Sequence, residues 1–310
     1  LRASAAVELG DDIDVATDRG ALGRAWAKIP AMAQALMDEE MPARDVAGII
    51  AAEVCAATSR AAHLAEEAMV QHGKGKAPCP YAVLVLGSAG RGESLLAMDQ
   101  DNALIFETGE PDSETDRWFG DFGTRMSDIL DTIGIPLCKG GVMASKPAYR
   151  GALSTWRERI RHWVTRSNPE DLLSVDIWFD LRPVYGQEAL ANRLRAEAWE
   201  EASRHKAFLK LLASNNAGAE NPVGFLGGWR TGPDQRIDLK NAGLRRIVSA
   251  ARVLAMAGPH LAYSTHERLA ALMAAQGGGK TDIEGIDRAH AVILDIILRQ
   301  QLIDLKDGRT

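Results

Sequence analysis

The sequence predicts an α+β protein in which a small sheet is held between an N-terminal and a C-terminal helical region. Three observations carry this. In the stretch 81–106, YAVLVLGSAGRGESLLAMDQDNALIF, two short apolar runs at 82–86 and 103–106 flank a polar segment containing glycine; that is the pattern of a strand, a turn and a second strand. Before residue 76 and beyond Gly186, apolar residues recur at three- and four-residue steps, the spacing of a buried helix face. Between those regions strands alternate with helices. The 310 residues, 46% of them hydrophobic, can bury a sizeable core, and they divide into a helical region 1–76, a core 77–186 and a helical region 187–310.

Taken in order, Leu22, Trp26, Ile29, Met32 and Leu36 predict a helix over 21–37. Val46, Ile49, Ile50, Val54, Leu64 and Met69 predict another after Pro42, stopped by Gly73, Gly75, Pro78 and Pro80. His63 and His72 read as ordinary helix residues. After the two central strands come a polar loop at 109–116, a helix over 118–133 and a short strand at 135–138. A helix around Trp156 and Trp163 leads to Asn168 and Pro169, a cap side chain followed by proline at the first helical position. Residues 172–181 carry both signals: the cap favours helix, and the alternation of Val175, Ile177, Phe179 and Leu181 resembles a strand. Further on, 189–212 predicts one long helix, 215–233 a glycine-rich loop and 239–256 a helix. Ser264 and Glu267 form a capping box, and a last helix is expected at 283–305.

Composition narrows the function. Lys and Arg total 36 against 42 Asp and Glu, a formal charge of −6 with no basic block, which argues against a polynucleotide partner. No stretch approaches the ~18 apolar residues of a membrane span, and there is no signal-peptide pattern, so a cytoplasmic location is expected. Cys55, Cys79 and Cys138 are far apart and outside any ligand spacing, so they are expected to be buried, reduced thiols. The chain starts at Leu1 rather than Met, which leaves room for upstream regulatory domains.

The candidate chemistry lies in 81–106. Asp99 and Asp101, two apart at a strand entrance, are expected to project from one face. Two carboxylates that close repel, and a divalent cation compensates; oxygen ligands suit Mg²⁺, with Mn²⁺ as the alternative. Gly87 and Ser88 end the preceding strand, where backbone N–H groups and the Ser88 hydroxyl can hold phosphates. Gly87 and Gly90 allow close backbone approach. Gln100 and Asn102 face the other side and are expected to hold the sheet edge. Of the tryptophans, Trp118, Trp156, Trp163 and Trp178 read as core, and Trp229 as a candidate for base stacking.

An apolar strand, Gly-Ser, about ten residues, then Asp-x-Asp entering a second apolar strand resembles the nucleotidyltransferase superfamily that includes DNA polymerase β. More closely, GSAGRGESLLAMDQDNALIF resembles the nucleotidyltransferases related to the PII uridylyltransferase, a family often found behind CBS or cyclic-nucleotide-binding domains. The segments around Pro78–Tyr81, CKGGVM at 138–143, FDLRPVYG at 179–186 and IDLK at 237–240 extend the likeness over nearly the whole chain. It implies a small mixed sheet in a polymerase-β-type core, with the C-terminal helices as a substrate-binding domain.

By that resemblance Gly87 and Ser88 hold the triphosphate of ATP or UTP, and Asp99 and Asp101 bind Mg²⁺. The acceptor of the nucleoside monophosphate could be a small regulatory protein. Arg91 either neutralises phosphate or pairs with Glu93. Asp238, Lys240, Arg236 and Arg230 either face the cleft, with Lys240 on the nucleotide, or are cap and solvated charges. Such sites usually take a third carboxylate from a later strand, and 135–138 has none. Asp180, with Asp176 behind it, is the candidate for that catalytic role, or else a partner of Arg182. A catalytically inactive nucleotide sensor is the competing expectation, and a helical scaffold with a vestigial site the third.

Overall fold

The computed structural model describes residues 12–166, 172–217, 236–258, 260–275 and 279–309. Asp18 starts α1 (Arg19–Trp26), its carboxylate accepting the Ala21 N–H at 2.8 Å. The helix expected over 21–37 is two helices. Proline favours the first turn of a helix, and Pro30 opens α2 (Ile29–Asp38) after a turn at Ala27 and Lys28. The long α3 (Ala43–Gln71) follows Pro42.

Next come β1 (Tyr81–Val85), the short α4 (Gly87–Arg91), β2 (Asn102–Phe106) and α5 (Glu114–Thr132), which is capped by Ser113 and carries Glu114 and Asp116 in its first turn. They lead to β3 (Arg150–Ala152), α6 (Leu153–Arg166), α7 (Leu172–Trp178) and β4 (Arg182–Gly186). Residues 172–178 are thus helical, as their cap favours. The cap itself, Asn168–Asp171, lies outside the described residues.

The sheet has the order β3-β2-β1-β4 and is mixed, β1 running antiparallel to both neighbours and β2 parallel to β3. Pro183 lies in the edge strand β4, where a missing donor is tolerated, and the register shifts between Val83 and Leu84. The third strand is therefore not 135–138. Pro136 has no N–H to give a ladder, and the Pro136 carbonyl is taken by the Gln100 N–H at 2.9 Å. The β2 edge is filled instead by β3, from Leu104 to Phe106.

Alternation along β1 divides the core. Tyr81, Val83 and Val85 pack with α1–α3 and α5, while Ala82, Leu84 and Leu86 pack with Trp156, Trp178, Phe179 and Trp199. Trp118, Trp156, Trp163 and Trp178 are all buried, as expected of core residues.

C-terminal to the sheet, the helix expected over 189–212 is broken at His205 into α8 (Glu188–Arg204) and α9 (Lys206–Ala217). A π-helical turn, Lys240–Leu244, leads into α10 (Arg245–Ala257), followed by α11 (Thr265–Ala275) and α12 (Lys280–Lys306). The capping box is present: Ser264 Oγ accepts the Glu267 N–H at 3.1 Å, and Glu267 accepts the Ser264 N–H at 2.9 Å. Among the described residues no helix is long and apolar enough to cross a membrane.

Candidate active site

The turn after β1 is shaped by close backbone contacts. Gly87 has φ +60°, and a Cβ there would sit 3.0 Å from Asp101 Oδ2, so a side chain would meet both the left-handed backbone and the carboxylate. At Gly90 a Cβ would lie 1.8 Å from the Asp180 carbonyl and 2.9 Å from that of Val85. The Leu86 N–H donates to Asp101 O at 2.8 Å. The Gly87–Ser88 turn and the aspartate loop are thereby fixed against each other.

Gln100 and Asn102 brace the aspartate loop from the other side. Gln100 Nε2 donates to Ser127 O and Ile135 O at 3.0 and 2.9 Å, the Asn102 N–H donates to Val142 O, and Asn102 Oδ1 accepts the Ala144 N–H. Asn102 opens β2 and serves the sheet edge, as expected, whereas Gln100 ties the aspartate loop to α5 and to Ile135. Asp99 and Asp101 precede β2 rather than lying in it.

Their ligand atoms and the Cys138 sulfur all lie within 4.8 Å of one another. Burial, then the charge of Asp99, pushes the Asp101 carboxyl up to about 6. Burial also pushes the Cys138 thiol up to about 11, with Asp101 and Asp99 adding to it. Cys138, Lys240 and Arg91 offset only part of this effect; a cation would relieve the remainder, and the donor set fits one. The expectation of buried cysteines is corrected: all three are free and half-buried.

Gly87, Ser88, Arg91, Asp99, Asp101 and Lys240 all line one cavity of about 240 Å³. Its opposite wall is C-terminal: the π-helical turn brings Lys240 and Leu244, α10 brings Arg245, Val248, Ser249 and Arg252, and α12 brings Gln301. Asp176 also faces the cavity, but Arg252 Nη1 holds it at 2.7 Å. Burial raises its pKa, Arg252 working against the rise.

Asp180 does not line this cavity. Its side chain is fully buried and is gripped by three guanidinium groups. Arg91 Nη1 and Arg252 Nη2 both lie 2.6 Å from Oδ2, and Arg268 Nη2 lies 2.8 Å from Oδ1. Burial works to raise its pKa, but Arg252, Arg268 and Arg91 outweigh it and hold the carboxyl far below the usual range. Its expected alternative partner, Arg182, instead donates to Gly90 O at 3.0 Å and lies over the Tyr263 ring.

Arg91 pairs with Glu93 at 2.8 Å as well as with Asp180. Burial opposes its charge, but the two carboxylates prevail and raise its pKa. Glu93 also accepts the Thr265 N–H at 2.5 Å and its hydroxyl at 3.0 Å, tying the turn to α11. Asp238 caps the Asn241 N–H at 3.0 Å, and Arg236 pairs with Asp304 at 2.6 Å. Of that cluster Lys240 lines the cavity; Arg230 and Trp229 lie outside the described residues.

Sequence reasoning missed Arg245, Arg252, Arg268 and Cys138. A signal existed for Arg252, which falls on the buried stripe of α10 with Val248, Ala251 and Ala255, where a charge needs a partner. The same signal existed for Arg268, which lies on the buried stripe of α11 with Leu269 and Leu272; Cys138 lies in the CKGGVM segment without a ligand spacing of its own, and Arg245 carries no local pattern.

The family model described as "Putative nucleotidyltransferase DUF294" matches residues 27–170, and that described as "Putative nucleotidyltransferase substrate binding domain" matches residues 206–310. No curated protein matches the chain.

Proposed function

We propose, for a chain that belongs to the DUF294 nucleotidyltransferase family, that the cavity binds ATP or UTP with Mg²⁺ and passes the nucleoside monophosphate to an acceptor. A small regulatory protein is the acceptor class this reading favours. One observation carries the reading. Gly87, Ser88, Asp99 and Asp101 come from the core and Lys240 from some 140 residues later, yet all border the same space.

In this account Gly87 and Ser88 hold the triphosphate by backbone and hydroxyl donors, and Lys240 and Arg245 add positive charge from the opposite wall. Asp99 and Asp101 hold the cation, whose contribution is to neutralise phosphate charge and orient the acceptor hydroxyl. Leu95, Met98, Leu244 and Val248 offer an apolar surface for the base. Arg91 serves as a positioning residue, since its charge is already matched by Glu93 and Asp180.

The position of Asp180, beneath the arginines, favours a second reading, a sensor that binds nucleotide without transferring it. Among the described residues the cluster around the aspartate pair holds no third carboxylate. Incubation with α-labelled ATP or UTP, a divalent cation and cell extract separates the two. Transfer of label to an acceptor with release of pyrophosphate, lost in Asp101→Asn, is expected of the enzyme. Nucleotide binding without either product would establish the sensor.

A further inference from the structure

We infer that Cys138 is the third protein ligand of the cation, so that the site has a mixed oxygen–sulfur donor set and favours more thiophilic divalent ions than a site of carboxylates alone. The inference rests on the reading above that Asp99 and Asp101 hold a cation. Both acidic alternatives are committed elsewhere. Asp180 is enclosed by Arg91, Arg252 and Arg268, and Asp176 is held by Arg252 at 2.7 Å.

The thiol of Cys138, by contrast, shares a space no wider than 4.8 Å with the two carboxylates. Ligands at the ~2.1–2.3 Å bond lengths of metal–oxygen and metal–sulfur contacts lie about 3 Å apart when adjacent and about 4.4 Å apart when opposite. The 4.8 Å bound on the spread of the three donors is close to the opposite-ligand spacing, so they can close around one ion by side-chain adjustment.

Backbone bonds fix the thiol there. Gln100, between the two aspartates, donates its N–H to Pro136 O and its side-chain amide to Ile135 O, both at 2.9 Å. The Gly141 N–H closes a turn on Cys138 O at 2.9 Å, with Gly141 at φ +71°. The segment that would supply an acid in a polymerase-β-type site thus supplies a sulfur, and a softer ligand moves affinity from Mg²⁺ toward Mn²⁺, Co²⁺ and Zn²⁺.

Co²⁺ provides the test, because a thiolate bound to cobalt gives a near-ultraviolet charge-transfer band independent of turnover. The full chain is titrated with Co²⁺ and, by calorimetry, with Mg²⁺, alongside Cys138→Ser, Cys138→Asp and Asp101→Asn. A saturable band is expected in the wild type and not in Cys138→Ser, which still contains Cys55 and Cys79. Co²⁺ affinity should fall at least about tenfold in Cys138→Ser, the loss that even an outer ligand partner produces. Cys138→Asp should shift the Co²⁺ to Mg²⁺ preference toward Mg²⁺ by a similar factor.

Wild type and Cys138→Ser binding Co²⁺ equally, without the band, while Asp101→Asn loses the ion, would overturn the sulfur ligand and leave the cation site standing. No Co²⁺ or Mg²⁺ binding by the wild type would remove both.

Discussion

Asp180 and the pair Asp99–Asp101 show how environment divides three carboxylates between two tasks. Asp180 is enclosed by three arginines and stabilises them; Asp99 and Asp101 face each other and a cavity. The consequences of neutralising them are opposite. Asp180→Asn leaves buried guanidinium groups without their counter-charge, and breaking such a pair costs about 3–5 kcal/mol. Asp101→Asn removes repulsion and desolvation cost, so denaturant unfolding should show stability equal to or above wild type. Equal stability of Asp180→Asn and wild type would contradict the structural role assigned to Asp180.

At the scale of elements, the legible parts were those whose signal is local. Gly87-Ser88 and Asp99-Gln100-Asp101 are contiguous in sequence, and the capping box at Ser264 is complete within four residues. Strand β3, only Arg150-Gly151-Ala152, has no periodicity to detect, and 135–138 has strand composition but a proline at its second position. The surroundings of Asp180 are not legible locally, because nothing in FDLRPVYG reveals that arginines from α4, α10 and α11 converge on it.

Helix α3 carries a further buried acid. Glu53 is nearly inaccessible, and burial, with Asp14 adding to it, pushes its carboxyl from the ordinary 4.5 up to about 7. A carboxyl whose folded pKa is raised binds more protons folded than unfolded. Stability is therefore lost as pH rises from the unfolded pKa through about 7. Glu53→Gln should raise the unfolding free energy at pH 8 by up to about 3 kcal/mol and leave it nearly unchanged at pH 4. Denaturation curves for both proteins at the two pH values check this, and parallel pH dependence would refute it.

Across the whole molecule, the core and the C-terminal helices meet at the cavity and are laced together beneath it by Asp180 and Glu93. Lys240 brings a positive charge to the cavity from the C-terminal side, and its place was legible only through the resemblance, since 140 residues separate it from Asp99. Replacing it should weaken nucleotide binding about tenfold, as loss of a charged hydrogen bond does, and flatten the salt dependence of binding, measurable by titration at two ionic strengths. Unchanged affinity would place the triphosphate elsewhere.

The most direct measurement is calorimetric titration of the full chain with Mg-ATP and Mg-UTP, beside Asp99→Ala and Asp101→Ala. Saturable binding of at least one nucleotide by the wild type, lost or strongly weakened in both variants, is the predicted result. No binding by the wild type, or binding indifferent to both substitutions, would contradict a metal–nucleotide site at the aspartate pair.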